Sequence, residues 1–87
     1  MIAFMVNPVS ASGRGQKIWS KLEPVLLKRR IPYSVYVTER RGHAVALTKK
    51  VITDKRVKAV VAVGGDGTVH EVAQQLVGTD YPLGFIP

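Results

Sequence analysis

The sequence predicts an α/β fold in which helices cover both faces of a parallel sheet, three layers in the order βαβαβαβ. Three observations predict it. Four short apolar runs, at residues 2–6, 33–38, 58–63 and 83–87, have the length of strands. Stretches with apolar residues at helical spacing separate them. Strands joined through helices of this length need crossover connections, which are right-handed and leave neighbouring strands parallel.

The first run, Ile2-Ala3-Phe4-Met5-Val6, is apolar throughout and stops at Asn7-Pro8, as a strand buried on both faces would. Residues 9–15 carry Ser, Ala and Gly and read as a loop. From about residue 16 to 29, Ile18, Trp19, Leu22, Val25 and Leu26 recur at helical spacing. Pro24 inside that pattern predicts a kink. Ile31-Pro32 ends the helix. Residues 33–38 are β-branched and aromatic, a second strand. Residues 43–52 form a second helix, with Ala44, Val45, Leu47, Thr48, Val51 and Ile52 facing inward. Residues 58–63 are a third strand, and 64–67 a tight turn. The helix over 68–77 turns Val69, Val72, Ala73, Leu76 and Val77 inward and stops at Gly78, a common stop residue.

The chain of 87 residues is one domain's worth. A domain this small buries about 60–65% of its unfolded surface, which predicts marginal stability alone. The absence of cysteine excludes disulfides and thiolate metal sites. No apolar run reaches the ~20 residues of a membrane span, and Met1 to Val6 lack the basic leader of a signal peptide. Both point to the cytoplasm. Thirteen basic and six acidic residues give a charge of +7, which favours anionic partners. No zinc-finger spacing or RNA-recognition aromatic signature is present, so nucleic acid is not the expected one.

Ligands of parallel sheets gather at the carboxyl ends of the strands, where three loops meet. The third, Gly64-Gly65-Asp66-Gly67-Thr68, lies between a buried strand and a helix. Its glycines permit positive φ and close approach of an anion to the backbone. The helix start behind it supplies unpaired N–H groups and a positive dipole end. Asp66 puts a negative charge where a phosphate would sit. Mg²⁺ bridging carboxylate and phosphate resolves that; orienting or deprotonating an attacking hydroxyl is the other role open to it, and helix capping the structural one. The turn matches neither the Walker loop nor the dinucleotide fingerprint.

The first loop, Asn7-Pro8-Val9-Ser10-Ala11-Ser12-Gly13-Arg14-Gly15, offers an amide, hydroxyls and glycines. The second, Thr38-Glu39-Arg40-Arg41-Gly42-His43-Ala44, ends a strand with a hydroxyl. His43 reads as a cap or surface residue and Glu71 as a first-turn carboxylate favoured by the helix dipole. His70 is placed either at the nucleotide or in solvent.

Together these three segments resemble the catalytic domain family of diacylglycerol kinases, with its sphingosine, ceramide and bacterial lipid kinases. The resemblance covers essentially the whole chain. The glycine turn alone is shared with NAD kinases. The resemblance implies ATP bound by Asn7, Pro8, Val9, Ser10, Ala11, Thr38, Gly64, Gly65, Asp66, Gly67, Thr68, Val69 and His70. It implies Mg²⁺-dependent transfer of the γ-phosphoryl group to a lipid hydroxyl, with Asp66 catalytic and the candidate link to the metal. Two departures stand out: Ser10-Ala11 replaces the family's Ser-Gly, and His70 replaces an Asn.

The resemblance further implies that residues 1–87 are the N-terminal part of a longer catalytic domain. The β-rich lipid-binding domain, the general base and other ATP contacts are expected beyond Pro87, with the lipid met at the inner membrane face. An exposed sheet edge makes self-association plausible. The alternatives are an NAD kinase-like enzyme and a non-catalytic nucleotide-binding regulatory module.

Overall fold

The computed structural model describes residues 1–86 and, at Ser10 and Ala11, the backbone alone. The readings for the Ser10 and Ala11 side chains and for Pro87 lie outside the described residues. The elements run β1 (Ile2–Val6), α1 (Ser10–Lys28), β2 (Tyr33–Val37), α2 (His43–Val51), β3 (Ala59–Val63), α3 (Asp66–Leu76) and β4 (Leu83–Ile86). The strands form one sheet in the order β2-β1-β3-β4, with every pair parallel. The predicted fold class holds.

Alternation along β1 divides the core in two. Phe4 and Val6 join Trp19 and Leu26 of α1 and Val63 of β3, with Ile2, Ile18 and Leu22 against them. Ala3 and Met5 point the other way, to Ala44 and Val51 of α2 and Val72 and Leu76 of α3. One helix therefore covers one face and two cover the other, which gives the three layers. On the α1 side, Phe4 meets Trp19 at 5.1 Å between ring centroids, and Trp19 meets Tyr33 edge-on at 5.8 Å. The Tyr33 hydroxyl donates to Glu23 Oε2 at 2.7 Å. That bond holds the Tyr33 phenol above its ordinary pKa.

Four differences from the sequence reading have local causes. The first helix starts at Ser10, not at Gln16. Asn7 Oδ1 accepts from Val9 N at 3.2 Å and turns the chain directly after β1. The loop character persists inside the element, since Ser12 (φ +58°) and Gly13 (φ +89°) are left-handed. Pro24 leaves α1 unbroken; it is exposed and removes only the bond that the Ser20 carbonyl would have accepted. The third helix starts at Asp66 with Gly65 as N-cap, so the Asp66 carboxylate does not cap it. Val25 and Val77, read as inward, are 46% and 81% exposed. Val77 follows the last turn of α3 in extended backbone.

Parallel strands also sort the charges. Lys28, Arg29, Arg30, Lys49, Lys50, Lys55, Arg56 and Lys58 are all exposed. All lie where helices end and strands begin, at the edge opposite the glycine turn. Asp54 and Asp80 are acidic residues of the same edge. In the α2–β3 connection, Asp54 accepts from Arg56 N (2.9 Å), Nε (3.0 Å) and Nη2 (2.8 Å).

Trp19→Ala removes the centre of the aromatic group and lowers the unfolding free energy by about 3–5 kcal/mol, read from denaturant melts. The Arg56 hydrogen bonds hold the Asp54 carboxyl down at about 2, against an ordinary 3.8. A depressed folded pKa means that its contribution is full above pH ~4 and is lost as the pH falls through about 2. Side-chain carboxyl NMR should place the Asp54 midpoint near 2, and higher in Arg56→Ala but still below the ordinary value, because the backbone N–H of residue 56 goes on donating to the carboxylate.

Candidate phosphate-binding site

The chain leaves β1 towards β2 on one side, and leaves β3 towards β4 on the other. The crevice between the carboxyl ends of β1 and β3 is therefore the switch point of the sheet, where such folds bind ligands. Asn7 caps β1 there. Its N–H donates to the Val63 carbonyl at 2.9 Å, and its Nδ2 donates to Thr68 Oγ1 at 3.2 Å. One residue thus ties the end of β1 both to β3 and to the first turn of α3.

Gly64 and Gly65 take the chain from β3 into α3. Gly64 is buried and has φ +148°, a backbone region open to glycine and strained for other residues. Its N–H donates to the Ile86 carbonyl at 3.3 Å. The Thr68 and Val69 N–H groups return to the Gly65 carbonyl at 3.1 and 3.3 Å. Those of Asp66 and Gly67 find no acceptor among the described residues, as expected of a helix start. Gly67 differs from Gly64: its φ is ordinary, and an added Cβ would meet nothing within 4 Å. The fold does not require glycine there. What glycine preserves is open space.

Thr38 follows β2. Its N–H and Oγ1 both donate to the Val6 carbonyl, at 2.9 and 3.3 Å. This buried threonine completes the third corner of a cleft of about 160 Å³, lined by Asn7, Thr38, Arg40, Arg41, Ala44, Gly67, Thr68 and Glu71. The three loops expected to converge do so. Of the predicted ligand residues, Asn7, Thr38, Gly67 and Thr68 line this cleft. Gly64 and Gly65 shape the turn, and Val69 packs against the core beneath. Pro8 and Val9 lie beyond Asn7, with Val9 77% exposed. The exposed His70 has Nε2 3.1 Å from Gln74 Nε2, which makes the histidine nitrogen the acceptor. His43 Nδ1 accepts from Glu39 N at 2.9 Å, which closes the turn ahead of α2; the helix itself has no side-chain cap.

Asp66 is exposed at the first residue of α3, and no hydrogen bond or ion pair holds its carboxylate among the described residues. No cluster of three or more His, Asp or Glu side chains able to hold a metal is found among them.

Arg40, Arg41 and Glu71 line the cleft although none was assigned to the ligand from sequence. The signal was the Arg-Arg-Gly run after a strand; its charges could not be told from surface ones without the strand order.

A parallel sheet with helices on both faces, a glycine turn and a small polar cleft at its switch point defines the class of doubly wound α/β proteins, which take their ligands there. Residues 1–87 match the family described as the diacylglycerol kinase catalytic domain, and the chain belongs to it. Among curated relatives, "Putative lipid kinase YtlR" of Bacillus subtilis (strain 168) is 33% identical over 87 residues, covering 97% of this chain and 28% of that protein. A ceramide kinase of Oryza sativa subsp. japonica is 35% identical over 85 residues, covering 94% and 14%. A solved diacylglycerol kinase from Bacillus anthracis str. Sterne superposes with a TM-score of 0.79 at 26% identity, covering 99% of this chain and 32% of that one. The chain thus spans less than a third of each.

Thr68 is 5% exposed and its hydroxyl joins β1 to α3. Thr68→Val keeps the shape and removes the acceptor. Loss of about 1–2 kcal/mol of stability is expected, read as a lower denaturant midpoint with an unchanged slope.

Proposed function

We propose that residues 1–87 are the N-terminal, ATP-binding part of the catalytic domain of a lipid kinase. The observation that carries this reading is Gly67: the first turn of α3 keeps open space in a cleft lined by two arginines, where neither backbone conformation nor packing calls for glycine. A phosphate fits that chemistry. The two unpaired N–H groups and the dipole of α3 meet its oxygens, and Arg40 and Arg41 offset its charge. The cleft is smaller than the ~300–1,000 Å³ of typical small-molecule sites, so it suits the phosphates and leaves the rest of the nucleotide to other parts of the protein.

In the reaction, a lipid hydroxyl oxygen bonds to the γ-phosphorus of ATP while the bond to the β,γ-bridging oxygen breaks. ADP leaves, and the hydroxyl proton passes to a base. Catalysis of such a step is mainly positioning and charge stabilisation. This chain's share is to hold the phosphates between α3 and the Arg40–Arg41 loop, with Asp66 presenting a carboxylate beside them. Bound Mg²⁺ would neutralise phosphate charge, and Asp66 is the residue here to hold it. The lipid-binding β-rich part and the general base belong to the remainder of the protein, as does contact with the membrane surface. No described helix is long and apolar enough to cross a membrane. Family membership across all 87 residues leaves the NAD kinase reading with the shared turn alone.

Two variants of the full-length protein test this. Asp66→Asn should leave the melting temperature within a few degrees of wild type and cut kcat at least 100-fold. Unchanged turnover would remove Asp66 from the mechanism. Gly67→Ala should raise stability by about 0.5–1 kcal/mol, because alanine favours the helix, and weaken ATP binding at least tenfold in calorimetry. Phosphoryl transfer from ATP to diacylglycerol, ceramide or a sphingoid base, compared with transfer to NAD, identifies the acceptor. Transfer to NAD alone would refute the lipid assignment.

A further inference from the structure

Glu71 is the one carboxylate lining the cleft, where its charge opposes a phosphate. Its geometry gives it another task. Oε1 accepts from the Gly42 N–H at 3.0 Å, across twenty-nine residues. Gly42 is the left-handed N-cap of α2, with φ +82°. The segment before it is closed locally by two bonds, from Glu39 N to His43 Nδ1 at 2.9 Å and from His43 N to the Arg40 carbonyl at 3.1 Å. Those bonds shape the turn but do not fix it relative to α3. Among the described residues, the Glu71–Gly42 bond is the hydrogen bond that does.

We infer that Glu71 is a positioning residue: it latches the Arg40-Arg41-Gly42 turn to the helix of the glycine turn and so sets both walls of the anion cleft at a fixed separation. This rests on the proposed ATP site. The carboxylate works as a hydrogen-bond acceptor, and its charge is a cost tolerated at the site. Glutamine retains an equivalent Oε1 without the charge; alanine retains neither.

The full-length protein distinguishes the possibilities with three readouts. In Glu71→Ala, the KM for ATP should rise about tenfold while the KM for the lipid stays within twofold, and hydrogen exchange of the Gly42 amide should quicken about tenfold. In Glu71→Gln, the KM for ATP should equal or fall below wild type, with slow Gly42 exchange retained. A Glu71→Gln variant as impaired as Glu71→Ala overturns the latch, because the charge itself would then be what matters. An ATP-binding wild type with an indifferent Glu71→Ala overturns it too. A wild type without ATP affinity refutes the proposed function instead, and Gly42 exchange then still decides whether the latch exists.

Discussion

β1 is hydrogen-bonded on both sides and covered on both faces. Ile2 through Val6 pair in register with residues 33–37 of β2 and 59–63 of β3. Phe4 and Val6 lie against α1, and Ala3 and Met5 against α2 and α3. No residue of the strand slips without moving its whole apolar set to the wrong layer. The residue that ends it, Asn7, inherits that fixed position. So do Thr38 and Gly64, which end the neighbouring strands at the same level. The polar site is held in place by apolar packing beneath it.

The glycines of the site serve two different ends. Gly64 and Gly42 have backbone angles that disfavour side chains, and each places an N–H that another part of the chain uses. Gly67 has ordinary angles and open surroundings. The architecture calls for glycine at the first two and not at the third. The same distinction separates buried Thr68, which braces the first turn of α3 through Asn7, from exposed Asp66 two residues earlier.

Strand positions were legible because continuous apolar runs bounded by Asn-Pro, Gly and charged residues have few other readings. The glycine turn was legible because its spacing is specific. The start of α1 was not, because Ser-Ala-Ser-Gly has the composition of a loop; what decides it is the Asn7 side chain turning the chain at Val9. The inward assignments of Val25 and Val77 failed because period alone does not say where a helix leaves the sheet. The partnership of Glu71 with Gly42 joins segments whose neighbourhood depends on α2 and α3 sharing a face, a fact of tertiary structure.

The sorting of charge alters what a net charge of +7 means for this molecule. Eight of the thirteen basic residues occupy the strand-start edge, a strand's length of ~16 Å from the cleft. The screening length at physiological salt is about 8 Å, so most of the positive charge is invisible to a phosphate in the cleft. The cleft itself is lined by two cations, Arg40 and Arg41, and one carboxylate, Glu71, with the Asp66 carboxylate exposed at the start of α3. The chain is strongly basic as a polyelectrolyte and nearly balanced as a receptor. Its isoelectric point describes how it migrates in a field and says little about how firmly it grips an anion.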